Sequence, residues 1–149
     1  MISHLEDTDF EIVRLSPDNA ELLHRLADDV FDEPVRADRL AAYLAEPGHL
    51  MLVALSGGIV VGQCAAVLHR HPDKVTELYI DEVGVTPAFR RKGIGRAMVE
   101  RMLAIGKELG CGEAWVGTEP DNLPARGLYE SLDLTRDETE AFVMYAYRL

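Results

Sequence analysis

Along the chain, stretches with the two-residue alternation of strands take turns with stretches of helical spacing. Phe10 to Leu15 is rich in β-formers and mostly alternates, which predicts a first strand. Ser16-Pro17-Asp18 follows, a cap residue and then proline where the first turn of a helix tolerates it. Leu22, Leu23, Leu26 and Val30 recur at helical spacing up to Phe31, and Pro34 breaks the pattern. A second helix is expected over Arg36 to Ala45, with Leu40, Tyr43 and Leu44 inward and Pro47-Gly48 as its stop. Two apolar runs, Leu50–Leu55 and Ile59–Leu68, joined at Ser56-Gly57-Gly58, predict a hairpin. Val75 to Thr86 is the longest strand candidate. Gly93 to Leu109 is the clearest helix, with Ile94, Met98, Met102, Ile105 and Leu109 on one face and Arg96, Glu100, Arg101, Lys107 and Glu108 on the other. Glu113 to Thr118 reads as a strand, and Asn122 caps a helix running to about Leu132. Strands near Leu134–Thr135 and over Glu140–Arg148 close the chain.

The predicted order is β-α-α-β-β-β-α-β-α-β-β: an α/β fold, with helices packed on one mixed sheet and a parallel strand–helix–strand step across residues 75–118. Ligands of such sheets sit outside the carboxyl ends of strands, which directs attention to the region after Thr86. Residues 1–9 read as a loose tail and 10–149 as a single domain; 149 residues is enough chain for a self-sufficient core.

Charge narrows the partners. There are 15 Lys and Arg against 26 Asp and Glu, a formal charge of −11. Such a surface repels nucleic acid and anionic membrane and favours small cationic partners. The N-terminus lacks the basic start and apolar run of a signal peptide, and no stretch approaches the apolar length that spans a bilayer, so the chain reads as cytoplasmic. Cys64 and Cys111 read as free thiols rather than a disulfide or nucleophiles. No Cys-x-x-Cys spacing exists, and His69-Arg70-His71 finds no third ligand, so no metal is expected. That triplet reads as a polar loop near the substrate mouth. Met98 and Met102 read as core, and Trp115 as packing beside the final helix. The aromatics of Phe142–Tyr147 leave an edge strand and a homodimer contact both open.

Against this acidic background, Val83 to Ala97 stands apart. A strand ends, a turn carrying Arg90, Arg91, Lys92, Gly93 and Gly95 follows, and a long helix begins with Ile94 and Arg96 in its first turn. Unpaired N–H groups and the positive end of the dipole at a helix start make an anion site, and the glycines allow close approach. A diphosphate suits four cations within seven residues. The dinucleotide fingerprint fails because Met98 stands where its third glycine belongs, and no nucleoside-triphosphate loop is present.

The pattern that remains, Arg90-x-x-Gly93-x-Gly95 after a strand and before a long helix, resembles the pyrophosphate loop of the GNAT acetyltransferase superfamily. Asn122-Leu123-Pro124-Ala125-Arg126-Gly127-Leu128-Tyr129-Glu130-Ser131-Leu132 resembles that superfamily's N-x-x-A-x-x-L-Y-x-x-L helix, and it comes in the right order. Asp133-Leu134 departs from the usual Gly-Phe. The resemblance implies a GNAT fold and acetyl-coenzyme A as co-substrate. It assigns the pyrophosphate to Arg90, Arg91, Lys92, Gly93, Ile94, Gly95 and Arg96. The pantetheine arm falls to the backbone of Val83, Gly84 and Val85 and to Asn122, and the departing thiolate's proton to Tyr129. Gly84 and the valines beside it would act through main-chain groups alone.

An amine acceptor is protonated in water, so a base is needed. Glu77-Leu78-Tyr79-Ile80-Asp81-Glu82 offers three carboxylates. Asp81 and Glu82 would face opposite sides of a regular strand, a parity that a bulge would change. Glu82, nearest the thioester-binding segment, is the expected base, with Asp81 the alternative. Asp81, Glu82 and Glu119 are the expected acceptor-binding acids. A finer resemblance, through Asp32-Glu33-Pro34-Val35, Glu77-Leu78-Tyr79-Ile80 and Glu119-Pro120-Asp121-Asn122, is to the aminoglycoside 3-N-acetyltransferase branch, where an acid in the place of Glu82 serves as base. The expected function is therefore acetyl transfer to a primary amine of a small, cationic, aminoglycoside-like acceptor by direct attack. Two alternatives stay open: a protein or peptide N-acetyltransferase, and a non-catalytic acyl-coenzyme A-binding module.

Overall fold

A computed structural model of the chain describes residues 9–132 and 139–149. Five strands form one sheet in the order β1-β2-β3-β4-β5: β1 Glu11–Arg14, β2 His49–Ser56, β3 Ile59–His69, β4 Glu77–Val85 and β5 Glu113–Val116. The first four pair antiparallel and β5 joins β4 in parallel, across the expected crossover. Helix α1 (Ala37–Ala45) precedes the hairpin, α2 (Ile94–Glu108) makes the crossover, and α3 (Leu123–Glu130) follows β5.

The hydrophobic pattern is satisfied on both faces of the sheet. On one face α2 buries Ile94, Met98, Val99, Met102 and Ile105, the stripe that spaces its sequence. It packs close: a methyl group at Gly106 would come within 2.8 Å of Leu78 Cδ2. On the other face Leu15, Leu23, Val30, Met51, Val53, Leu55, Val60 and Ala65 form a core, with Leu40, Tyr43 and Leu44 of α1 against it.

Two predicted elements differ. The helix expected through Phe31 is a 3-10 helix over Pro17–His24, started by Ser16 and Asn19 as a reciprocal capping pair. It stops because the chain finds a strand to bond instead. Val60 N–H donates to the Arg25 carbonyl at 2.8 Å, and Ala27 N–H donates to the Val60 carbonyl at 2.9 Å. The apolar spacing of Leu26 and Val30 serves packing there, not helix.

The last strand of the predicted order is the second difference. Leu134–Thr135, and the Asp133-Leu134 turn, lie outside the described residues. Glu140–Arg148 carries no strand. Alternating aromatics describe a segment able to be a strand, but a strand exists only where a neighbour supplies the ladder bonds, and residues 139–149 have none.

The chain divides into two compact units at Gly117/Thr118. The first holds the sheet, α1 and α2; the second holds α3. In the second unit Asn122 Oδ1 accepts from Ala125 N–H at 3.2 Å, capping α3 as its sequence predicts. Among the described residues no helix is long and apolar enough to cross a membrane.

Candidate active site

The first unit carries a cleft built around the second half of β4. Ile80 pairs with Ala66 and Glu82 with Ala65, so Asp81 is an extra residue in the ladder. This bulge reverses the parity of the residues after it. In unbroken alternation Glu82 would follow Leu78 and Ile80 to the face beneath α2. Instead it lies opposite Ala65, on the other face, and lines a cavity of about 510 Å³ with Phe31, Asp32, Glu33, Arg39, Tyr43 and Met51.

Glu82 and its neighbour Asp81 hold their protons more tightly than free carboxylates. Burial pushes Glu82 up first, and the charges of Asp32 and Asp81 push it further. The Gln63 amide nearby pulls the other way. Asp81 is raised by partial burial, opposed by its own backbone and by His49. A raised, half-buried carboxylate among other acids is the state expected of a base working near neutral pH. Tyr43 is no rival for proton transfer: burial, with Asp81, Cys64 and Glu82 nearby, drives its phenol upward, and its hydroxyl donates to the Leu50 carbonyl at 2.8 Å.

Beside the acids, β4 presents an edge. Pairing with β5 ends at Ile80 and Val116, whereas pairing with β3 continues to Val85 and Gly62. Among the described residues, 81–85 thus have no ladder partner on the β5 side. Gly84 is a glycine for a steric reason the sequence did not disclose. A methyl group there would sit 2.5 Å from the Val30 carbonyl oxygen.

The basic turn comes next. Thr86 N–H donates to the Val61 carbonyl at 2.8 Å, Pro87–Phe89 form one 3-10 turn, and α2 starts at Ile94. Gly93, with φ +82°, is its N-cap and offers no side-chain acceptor, and a methyl group there would meet open space. The first helical donor is Ala97, bonded to the Gly93 carbonyl at 3.0 Å, so the N–H groups of Ile94, Gly95 and Arg96 have no partner within the helix. Arg91 also sits at positive φ, +63°. The cations are unequal. Arg90 donates to the Val85 carbonyl at 3.0 Å, Lys92 lies 5.1 Å over the Phe89 ring, and Arg96 pairs with Glu100 at 2.8 Å. The Ile94 side chain is buried, so only its amide faces outward from the core. The donor set, main-chain N–H groups at a helix start flanked by arginines, fits a diphosphate.

In the second unit, Glu119 is exposed, Asn122 is spent in part as the cap, and Tyr129 is half-buried on α3. The acids Asp81 and Glu82 are thus brought together with residues 83–96 in one unit, and Glu119, Asn122 and Tyr129 belong to the other. Gln63 was missed. Its signal was present: it is the lone amide in the apolar run Ile59–Leu68.

Other expectations resolve simply. Trp115 stacks on Tyr79, ring centroids 3.9 Å apart, in the parallel register. His71 Nε2 lies 2.9 Å from Glu77 Oε1, and among the described residues no cluster of three metal-ligating side chains exists. Cys64 and Cys111 are free thiols, and burial pushes Cys64 up to about 12.

The family model described as Acetyltransferase (GNAT) family matches residues 14–133. This chain belongs to the GNAT family. It is an acetyl-coenzyme A-dependent N-acetyltransferase with a mixed α/β GNAT fold. It is 26% identical over 136 residues to aminoglycoside N(6′)-acetyltransferase type 1 of Salmonella typhimurium, across 89% of this chain and 82% of that one. That relative is named for the 6′ amine, whereas the motif resemblance was to the 3-N branch. N-alpha-acetyltransferase 30 of Xenopus laevis is 29% identical over 80% of this chain but only 43% of its own length. Among solved structures, AAC(6′)-Iy in complex with the bisubstrate analogue CoA-S-monomethyl-acetylneamine superposes with a TM-score of 0.76 at 20% identity, covering 95% of this chain and 99% of that one, a likeness of fold.

Proposed function

We propose that this GNAT acetyltransferase acts on a primary amine of a small polycationic acceptor of the aminoglycoside kind. The observation that carries the reading is the β4 bulge, which turns Glu82 into a cavity with Asp32 and Glu33, next to a strand edge free of β5. Asp32, Glu33 and Glu82 line the cavity against Arg36 and Arg39, Arg36 is paired with Asp38 at 3.1 Å, and Asp81 lies beside Glu82, which leaves negative potential for a cation; the aminoglycoside relative supports the choice of acceptor.

Acetyl-coenzyme A, when bound, supplies the activated acyl group. The N–H groups of Arg91 to Arg96 and the surrounding guanidinium groups hold its diphosphate. Main-chain donors at Val83–Val85 hold the pantetheine and stabilise charge on the thioester oxygen. Glu82 removes a proton from the ammonium group. The amine nitrogen then forms its bond to the acyl carbon as the carbon–sulfur bond breaks, and the nitrogen gives up its second proton, which through solvent replaces the one that the thiolate takes. By motif resemblance Asn122 aids the pantetheine, Glu119 the acceptor, and the Tyr129 hydroxyl gives its proton to the thiolate. A base of this kind contributes roughly 10²–10⁴-fold to rate. The family match runs across both units, which supports reading 10–149 as one acetyltransferase domain. The free thiols accord with a cytoplasmic location.

The test is thiol release from acetyl-coenzyme A with aminoglycosides, polyamines, amino acids and short peptides. Turnover of the polycations is expected; turnover of peptides alone would replace this reading with protein N-acetylation. Tyr129→Phe should slow turnover without weakening coenzyme A binding, and an unchanged rate removes that hydroxyl from the mechanism.

A further inference from the structure

Among the described residues, Gln63 is a fully buried polar side chain, with no exposed surface in the middle of β3. Nε2 donates one proton to the Val30 carbonyl at 3.3 Å. In the ladder Gln63 lies opposite Gly84 and Ala65 lies opposite Glu82, which makes Gln63 the diagonal neighbour of Glu82 on the same face. From that diagonal position the second N–H proton of the amide is the one available to the Glu82 carboxylate, which only accepts. Oε1 has no donor among the described residues.

As a stabilising element this is a poor choice. A buried amide with one oxygen unpaired is worse for folding than an apolar side chain of the same shape. Yet the arrangement is built with some care: glycine at position 84 is what allows the Val30 carbonyl to come so close.

We propose that Gln63 is a positioning residue for the base: with one amide proton locked to the Val30 carbonyl, the other holds the Glu82 carboxylate toward the acceptor cavity in its ionised form. The inference rests on Glu82 being the base. The charged and titratable groups around it are Asp81 on its own strand, Asp32 and Glu33 from the loop before α1, and Arg36, Arg39 and Tyr43 at α1. Asp32 and Asp81 oppose ionisation of Glu82 and the Gln63 donor favours it.

The experiment measures kcat/KM against pH with neamine as acceptor for wild type, Gln63→Met, Glu82→Gln and the double variant. Gln63→Met removes the donor at nearly constant shape. Its acid limb should move up by about one pH unit, which lowers kcat/KM about tenfold below the limb, with KM for acetyl-coenzyme A unchanged. In the Glu82→Gln background the same substitution should change kcat by no more than about twofold. An unmoved limb, with Glu82→Gln still slow, overturns the role of Gln63 and leaves the base in place. A Glu82→Gln enzyme with wild-type rate and profile overturns the base, and Gln63 with it. Should Gln63→Met fail to fold, Gln63→Asn, too short to bridge both partners, must shift the limb the same way. A carboxyl-carbon NMR titration of Glu82 reads the same shift without turnover, and no shift there refutes the proposal.

Discussion

Gly84→Ala tests the junction of fold and chemistry, because one methyl group there touches both. The new carbon would lie 2.5 Å from the Val30 oxygen, where ordinary contact begins near 3.4 Å. About 0.9 Å must therefore be found between two backbones, neither of which can swing aside as a flexible side chain would. Overpacking of this kind costs about 1–3 kcal/mol. The Gln63–Val30 hydrogen bond, already 3.3 Å long, would be stretched out of range at a further loss of about 1 kcal/mol. A total near 2–4 kcal/mol should lower the urea midpoint by about 1 M or more at an m-value of about 2 kcal/mol/M. The strand edge at Val83–Val85 would shift too, and a misplacement of about 1 Å near a reacting group can lower turnover about 10²-fold. Urea titration followed by fluorescence gives the first quantity and thiol release the second. Gly62→Ala, which first meets the movable Met98 Cε at 3.1 Å, should cost less. A Gly84→Ala protein within about 0.5 kcal/mol of wild type and fully active would refute the steric account.

Glu82→Gln should slow transfer roughly 10²–10⁴-fold and at the same time stabilise the fold at pH 7. Glu82 is raised in the folded state, so its contribution is present below the ordinary glutamate range and is lost as pH rises through the folded pKa; a lower urea midpoint for the variant at pH 7 would contradict this. Arg91→Gly relieves a left-handed backbone (φ +63°), for a net gain of about 0.5 kcal/mol after the flexibility glycine adds to the unfolded chain. Coenzyme A affinity should fall with the lost cation, and calorimetry reads both. Native protein should react with DTNB at Cys111 and leave Cys64, its thiol raised to about 12, unlabelled until denaturant is added.

Much of the fold was legible because it is local. The stripe Ile94–Met98–Met102–Ile105 needs only helical periodicity and one apolar surface, and α2 forms on it. The turn at Gly93 and the helix start after it were legible because they are made of residues adjacent in sequence. Pairing was less so. The spacing of Leu22 to Val30 suits a helix, yet Val60 bonds the chain at Arg25 and Ala27, and no sequence window holds both partners. The aromatics of Glu140–Arg148 have strand-like alternation but no ladder among the described residues.

The same divide runs through the site. Which residue types are present, acids ahead of a basic glycine turn and an N-x-x-A-x-x-L-Y helix after it, is a property of the sequence, and it was enough to identify the chemistry. Whether Asp81 or Glu82 reaches the face that carries α1 depends on one extra residue in the β4 ladder, and a bulge is a relation between two strands. Gln63, Val30 and Gly84 are even less local. They lie far apart along the chain and meet only because β3, β4 and the loop after the 3-10 helix are stacked at contact distance, where a methyl group no longer fits.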